Sequence, residues 1–122
     1  MAIPTSIKTL LSGDVVEWAR IEFKETWDAA ASLKSICAFA NDLDNWGGGY
    51  IVIGVQEENG RHAYPLKGVP TDKLDAYQKN IFAKCKLLRP AYTPIIGIET
   101  YQDKQFIVIW CPGGDNRPYS SP

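Results

Sequence analysis

The stretch that most constrains the fold runs from Ile36 to Val55, where a helical pattern passes through three glycines into an apolar run. Before the glycines, apolar residues recur at helical spacing, which indicates a helix with one face against a core. Residues 50–55 are almost all apolar rather than alternating, which is typical of a strand covered on both faces. A helix joined so tightly to a buried strand predicts a layered domain of helices and sheet. The apolar helix positions are Ala29, Leu33, Ile36, Ala40 and Leu43.

Length and charge limit what the chain can be. Its 122 residues suffice for one core, so we expect a single domain over residues 1–122. The formal net charge is -1, so binding to nucleic acid would have to come from a local basic patch. The N-terminus lacks a signal-peptide pattern, and no apolar run approaches the roughly 20 residues that span a membrane. We therefore expect a cytoplasmic protein that does not enter membranes.

The cysteines and the end of the chain add two expectations. Cys37, Cys85 and Cys111 are odd in number and widely spaced, which favours reduced thiols over a disulfide or metal site. With one histidine, His62, and no CxxC spacing, we expect no zinc site. Residues 117–122 follow a Pro-Gly-Gly turn without a terminal element, which we interpret as the end of an N-terminal fragment of a longer protein.

The element order follows from periodicity and turn residues. The alternation at residues 20–24 predicts a half-buried strand that points Ile21 and Phe23 at the core and Glu22 away from it. The predicted class is α+β, a layered α/β arrangement with a mixed sheet of about five to six strands, two long helices and a short N-terminal helix. The predicted helices are residues 7–11, ended by Gly13, residues 28–43, capped by Asp28, and a second long helix capped by Thr71 or Asp72 and ended by Pro90. The other predicted strands are residues 50–56, 61–66, 92–101 and 105–111, with an acidic hairpin turn at 57–60 and a second hairpin turn at 102–104.

Three glutamates form the first candidate site. Glu17, Glu22 and Glu57 are separated in sequence, with Glu25 and Glu58 as neighbours. If the first three carboxylates converge, they can bind Mg²⁺ or Mn²⁺, and such a metal can position a phosphodiester for cleavage. The alternative is a set of solvated glutamates paired with nearby basic residues, and spacing alone favours that alternative.

The second long helix carries the second candidate site. A row of lysines on one helix face can follow phosphates, with an aromatic side chain such as Tyr77 or Tyr92 nearby for stacking. The same pattern also describes the wet side of an amphipathic helix. The candidate phosphate contacts are Lys24, Lys79, Lys86, Arg89 and Arg117.

Two further motifs favour structural roles. Gly47, Gly48 and Gly49 lie between a helix and a strand, the reverse of the order in a phosphate-binding loop, so they predict a tight turn. The sequence contains no G-x-x-x-x-G-K-[ST] motif and so no ATPase signature.

Asn41, an amide near the end of an apolar helix, is predicted to cap loop backbone groups. Cys37 is predicted to be a buried thiol and His62 a surface imidazole.

Four ordered motifs together resemble the Schlafen AlbA-type DNA-binding domain family. They are Glu17, Ile21-Glu22-Phe23-Lys24-Glu25, Ala38-Phe39-Ala40-Asn41, and the glycine-to-strand run Gly47-Gly48-Gly49-Tyr50-Ile51-Val52-Ile53-Gly54-Val55 followed by an acidic pair. The resemblance extends from Glu17 to Tyr119, and Arg117-Pro118-Tyr119 is similar to the start of the motif that closes family domains.

The resemblance implies two kinds of function. Bacterial and archaeal members are N-terminal modules of transcriptional regulators or RecG-related ATP-dependent DNA helicases, and eukaryotic Schlafen relatives include endoribonucleases with three acidic residues. By position, Glu17, Glu22 and Glu57 match those acids, although Gln56-Glu57 stands where the family has two aspartates. The Schlafen zinc ligands and second lobe have no counterpart, so a cleft would need a homodimer.

The sequence therefore supports three hypotheses. The first is a module that binds DNA or RNA within a larger, dimeric regulator or helicase-like protein. The second is a metal-dependent nuclease that uses Mg²⁺ or Mn²⁺ at the three glutamates. The third, compatible with the slight negative charge, is a dimerisation or scaffold domain without a nucleic-acid role.

Overall fold

The computed structural model describes residues 5–11, 21–59 and 61–122, and its elements form an α+β domain. This confirms the predicted class. The predicted end of the first helix at Gly13 lies outside the described residues. In chain order the elements are α1 (Ile7–Leu10), β1 (Ile21–Lys24), α2 (Ala29–Asn41), β2 (Gly48–Ile53), β3 (Gln56–Glu58), β4 (Arg61–Ala63), α3 (Thr71–Cys85), β5 (Ile95–Tyr101) and β6 (Lys104–Pro112).

The main sheet is mixed and has the order β1-β2-β6-β5. β1 and β2 are parallel, with Glu22 opposite Ile51, whereas β6 pairs antiparallel with both β2 and β5. The β5–β6 hairpin closes through Gln102 and Asp103, which both have positive φ, at the predicted turn. The six described strands match the predicted number, but β3 and β4 form a separate two-stranded sheet.

Gly54 separates β2 from β3 and interrupts what the sequence predicts as one strand. Its φ is 108°, and a Cβ there would lie 2.9 Å from the carbonyl carbon of Gly68. The N–H groups of Gly54 and Val55 both donate to the carbonyl of Lys24, at 2.7 and 3.1 Å. Past this bend, Glu57 and Glu58 belong to β3 rather than to the predicted turn. The predicted hairpin is confirmed by the antiparallel pairing of β3 with β4, but its turn begins after Glu58 rather than at Glu57.

Both faces of the main sheet are covered by apolar layers. Ile51 and Ile53 pack into the core under α2 and α3, whereas Val52 packs with α1 on the opposite face. β6 divides in the same way, with Ile107 and Ile109 under the long helices and Phe106 and Val108 under α1. The prediction of a strand covered on both faces is confirmed for β2.

The prediction that Glu22 points away from the core is wrong. Ile21 and Phe23 do lie on the α1 face, which places Glu22 on the opposite face of β1. That face is the one covered by α2 and α3, so Glu22 is half-buried. Its Oε2 atom is buried and has no hydrogen-bond partner among the described residues. Alternation distinguishes two faces, but it does not show that one of them is solvated.

The two long helices end at the same edge of the sheet. The N–H of Gly114 donates to Ala40 at 2.8 Å, which ties the end of α2 to the residues that follow β6. The Tyr92 hydroxyl, which follows α3, donates to Pro112 at 2.6 Å at the same edge. The helices have 13 and 15 residues. Of the helices in the described ranges, none is long and apolar enough to cross a membrane.

The helix ends confirm one predicted cap and correct another. Asp28 caps α2 by accepting from the Ala31 N–H at 3.3 Å, as predicted. α3 instead starts after Pro70 without a side-chain cap, so the predicted Thr71 or Asp72 cap is wrong. α2 ends at Asn41, because Asp42 adopts a left-handed φ of 44°. Leu43, predicted in the core, consequently lies past the helix and is 90% exposed.

Candidate nucleic-acid interface

Asn41 holds the C-terminal segment against the end of α2. Its amide donates to the carbonyl of Tyr119 at 3.0 Å, and its Oδ1 accepts from the Tyr119 N–H at 2.6 Å. Cys37 also donates to that carbonyl, at 3.4 Å. The Tyr119 ring is buried and meets Tyr92 edge to face at 5.3 Å. The prediction that Asn41 caps loop backbone groups is confirmed, and the loop it caps is the chain after β6.

This docked segment brings cations together where the long helices end. Arg117 Nη1 donates to the carbonyl of Asn41, the last residue of α2, at 3.3 Å. Arg89 Nη1 donates to the carbonyl of Lys86, the C-cap of α3, at 3.1 Å. Arg89 and Ser120 also exchange two backbone hydrogen bonds, at 3.0 and 2.8 Å. We call Lys86, Arg89 and Arg117 the basic end.

Two physical roles are open to these side chains. Cations at helix C-termini stabilise the helix dipole, which is a structural role. Each guanidinium, however, has five N–H donors, and the contact with the helix uses one of them in Arg89 and in Arg117. All three side chains are exposed, so they are also accessible to an anion.

The outer face of α3 continues from the basic end. Lys79, Phe82 and Lys86 are spaced three and four residues apart, which places them on one face of the helix. Phe82 is 43% exposed between the two lysines. Lys79 forms an exposed ion pair with Asp75 at 2.9 Å. We call Lys79, Phe82 and Lys86 the α3 stripe.

Neither aromatic residue predicted for stacking is suited to that role. Tyr92 is 8% exposed, its hydroxyl donates to Pro112, and burial raises its pKa well above the ordinary value. Tyr77 is half-buried against the core under the helices. The exposed aromatic side chain of the stripe is Phe82, which the sequence analysis missed. Its helical spacing from Lys79 and Lys86 is the sequence signal that could have identified it.

Lys24, also predicted to contact phosphate, lies at the opposite end of α2. It closes β1, where its carbonyl accepts from Gly54 and Val55, and its side chain is half-buried. Because α2 begins just past β1 and has 13 residues, the two ends of this helix lie about 20 Å apart. The structure therefore separates Lys24 from the basic end.

A group of acidic side chains lies near the end of β1, next to Lys24. Glu25, Glu57 and Glu58 line an open pocket of about 310 Å³ together with Gln56 and Ala63. Glu25 accepts from Lys67 at 2.6 Å and from Gln56 at 3.2 Å, and these hydrogen bonds lower its pKa. We call Glu25, Glu57 and Glu58 the acidic end.

The three predicted carboxylate ligands are placed only in part. Glu17 lies outside the described residues. Glu22 is half-buried on the helix face of β1, whereas Glu57 is exposed on β3 opposite His62. Across residues 5–11, 21–59 and 61–122, no group of three or more His, Cys, Asp or Glu side chains is arranged to hold a metal ion.

The remaining candidates have structural roles. A Cβ at Gly48 would collide with the carbonyl oxygen of Cys111, so this glycine permits close contact between β2 and β6. Gly48 and Gly49 begin β2, and the turn lies before them, so the predicted glycine turn is wrong for these two residues. Cys37, Cys85 and Cys111 are buried free thiols, and burial raises the pKa of Cys85 to about 11. His62 is half-buried rather than at the surface, with its ring edge to face with Phe23 and Tyr64.

The fold and the motifs on it define an AlbA-like α+β domain. Residues 17–122 match the sequence model described as "Schlafen, AlbA_2". The chain belongs to the Schlafen AlbA_2 family.

Solved structures similar to this chain include the two that follow, while comparison with curated proteins gave no match. The solution NMR structure of the N-terminal domain of a Nitrosomonas europaea protein, named as related to the ATP-dependent DNA helicase RecG, is 30% identical with a TM-score of 0.75. That similarity covers 95% of this chain and 80% of the other. The DIP2311 protein from Corynebacterium diphtheriae shares the fold at 17% identity and a TM-score of 0.55, over 92% of this chain and 22% of that protein.

Proposed function

We propose that this domain binds nucleic acid, through the α3 stripe and the basic end, as a module of a larger regulator or helicase-like protein. The observation that carries the proposal is charge segregation along one part of the chain. From residue 76 to residue 98 there is no acidic residue, while the same span contains Lys79, Lys84, Lys86 and Arg89. Arg117 joins this set through its contact with α2.

The local charge matters more for this function than the net charge of -1. Phosphate contacts release counterions, and each contact acts over roughly one Debye length, about 10 Å at 0.1 M salt. The acidic end lies about 20 Å away, at the start of α2, so its carboxylates are largely screened from a strand bound at the basic end. The similarity to the N-terminal domain of a RecG-related protein supports the same function.

The test removes two charges from the stripe. We expect Lys79→Gln with Lys86→Gln to weaken binding of a labelled oligonucleotide and to lower the slope of log K against log salt by about 1.4 to 1.8, at 0.7–0.9 per phosphate. Fluorescence anisotropy between about 50 and 200 mM salt measures this slope over the range in which phosphate contacts dominate.

The matched control is Lys8→Gln with Lys104→Gln, which changes the net charge equally. Lys8 is on α1, which covers the opposite face of the sheet, and Lys104 begins β6. We expect this control to leave the slope unchanged. Equal slopes for all three proteins would remove the stripe from the proposal. An absence of binding at low salt would overturn the proposal and favour the scaffold hypothesis.

A second candidate function is metal-dependent cleavage of nucleic acid by Glu17, Glu22 and Glu57. The observation in its favour is the buried Glu22 Oε2, which has no hydrogen-bond partner in the described part of the chain. A buried carboxylate oxygen without a donor is costly unless a cation or proton satisfies it. Carboxylate oxygens are the ligands that Mg²⁺ and Mn²⁺ prefer, so these residue types fit such an ion.

Incubation with labelled transfer RNA and single-stranded DNA in Mn²⁺ separates the two functions. Cleavage that Glu22→Gln abolishes would establish the nuclease. Retention of the probe without cleavage would support the binding module alone. We also propose a homodimer, which would bring two basic ends to one ligand, and sedimentation equilibrium of the purified domain measures that state.

A further inference from the structure

The turn that follows α2 is held in one conformation by a single buried side chain. Asp42 is 5% exposed, and its two carboxylate oxygens accept from the N–H groups of Trp46 and Gly47, both at 2.9 Å. Its carbonyl accepts from the Asn45 N–H at 2.9 Å, and its own N–H donates to Ala38 at 3.1 Å. Four hydrogen bonds from one residue therefore order the turn before any ligand binds.

This ordered turn presents two large apolar side chains to solvent. Leu43 is 90% exposed and Trp46 is 62% exposed. Among the large apolar side chains of the described residues, Leu43 is the most exposed, and Trp46 and Tyr64 follow with equal values. Burying a side chain of this size is favourable by about 1.5–3 kcal/mol, so covering the exposed part of these two side chains would contribute to binding.

The turn is continuous with the basic end. Arg117 donates to the carbonyl of Asn41, the residue directly before Asp42. Gly113 donates to the carbonyl of Gly47 at 3.3 Å, which joins the other side of the turn to the segment that carries Arg117. The turn that carries Trp46 is thus joined on both sides to the segment that carries Arg117, a cation that can contact a phosphate.

We propose that Trp46 is a stacking platform for an unpaired base, so that the ligand of this surface is single-stranded nucleic acid. This inference rests on the proposed function. Bases in a single strand offer a free face, and base stacking on an aromatic side chain is largely independent of sequence. In a duplex the bases are already stacked, and a projecting side chain reaches them only by opening a step.

Phe82 and Arg117 fit the same ligand. Phe82 is a second exposed aromatic side chain between two lysines on α3, and Arg117 can follow the phosphates between two stacked bases.

The test compares probes of equal charge with and without bases. We use an oligothymidylate of about 12 nucleotides, within the usual range of single-strand sites, and an abasic oligodeoxyribonucleotide of the same length. We expect the wild-type domain to prefer the oligothymidylate by about fivefold or more, the preference that one stacked base provides. Trp46→Ala should lower this preference by about fivefold, the contribution of one stacked base, and leave binding of the abasic strand unchanged, whereas Trp46→Phe should retain it.

Leu43→Ala is the matched control in the same turn, because leucine is apolar but cannot stack. Equal losses in Leu43→Ala and Trp46→Ala, or tighter binding of a duplex than of the single strand, would overturn stacking. In either case the salt slope of Lys79→Gln with Lys86→Gln still reports on the proposed function, so the two failures are distinguishable. An unchanged preference in Trp46→Ala would also overturn the inference.

Discussion

The acidic end and the basic end lie at opposite ends of α2 and are built in different ways. At the acidic end, Glu25 pairs with Lys67 in an ion pair whose side chains are 45% and 47% exposed. At the basic end, Arg89 and Arg117 donate to the last carbonyls of the two long helices. The first region is held by exposed side-chain pairs, and the second is attached to the backbone of the core helices.

Because the two ends are held in different ways, we expect them to respond differently to salt, pH and substitution. Exposed ion pairs contribute about 0–1 kcal/mol and weaken with salt. The basic end instead depends on the docking of residues 117–120 through Asn41, which is a partly buried contact between a side chain and the backbone. We therefore expect the basic end to be rigid and to lose its arrangement only when residues 117–120 undock. At the acidic end, we expect the exposed ion pair to weaken as pH and salt change.

The largest expected effect comes from Asn41→Ala. This change leaves the N–H and carbonyl of the buried Tyr119 without their Asn41 partners, and each unsatisfied group costs about 1–3 kcal/mol. We expect the free energy of unfolding to fall by about 2–4 kcal/mol in urea denaturation. Oligonucleotide binding at the basic end should weaken as well. NMR should show that the ion pair between Glu25 and Lys67 is still formed.

Asn80→Ala is the control for that prediction. Asn80 makes one exposed side-chain hydrogen bond, accepting from Trp27 Nε1 at 2.7 Å. We expect it to cost no more than about 1 kcal/mol. Equal destabilisation by the two variants would mean that Asn41 does not hold the basic end together.

An intermediate effect is expected from neutralising each end separately. Arg89→Gln with Arg117→Gln should lower the salt slope of oligonucleotide binding by about 1.4 to 1.8. Glu57→Gln with Glu58→Gln raises the net charge by two, yet should change the affinity less than about threefold, because about 20 Å separates the ends. A stronger gain from the glutamate variants would show that nucleic acid reaches the acidic end, as the nuclease hypothesis requires.

The smallest expected effect comes from Lys67→Met. Hydrogen bonds from Lys67 and Gln56 lower the pKa of Glu25, so their stabilisation is present above its unfolded pKa, about 4.3, and is lost as the pH falls through the lower folded value. The variant should raise the pKa of Glu25 in an NMR titration and flatten the loss of stability in acid. Oligonucleotide affinity should stay unchanged, and a change would link the two ends.

The local signals in the sequence predicted several elements correctly. The Asp28 cap, the turn at Gln102 and Asp103, and the capping role of Asn41 all depend on neighbouring residues, and all three are confirmed. The residues of the candidate site were harder to predict from the sequence. Tyr92 appeared suited to stacking from its position near lysines, but the packing of Tyr119 and the hydroxyl bond to Pro112 bury it.

The sequence by itself determined the element types, the two-sided burial of the central strand and the acid-free run on α3, because these depend on periodicity and composition over a few turns. Only the tertiary structure decided which face of β1 is covered, and so that Glu22 is half-buried. It also decided that Arg117 meets the end of α2 and that Trp46 is exposed in the turn that follows. The placement of Arg117 results from contacts between residues more than 70 positions apart, such as Asn41 with Tyr119, and no local pattern encodes such contacts.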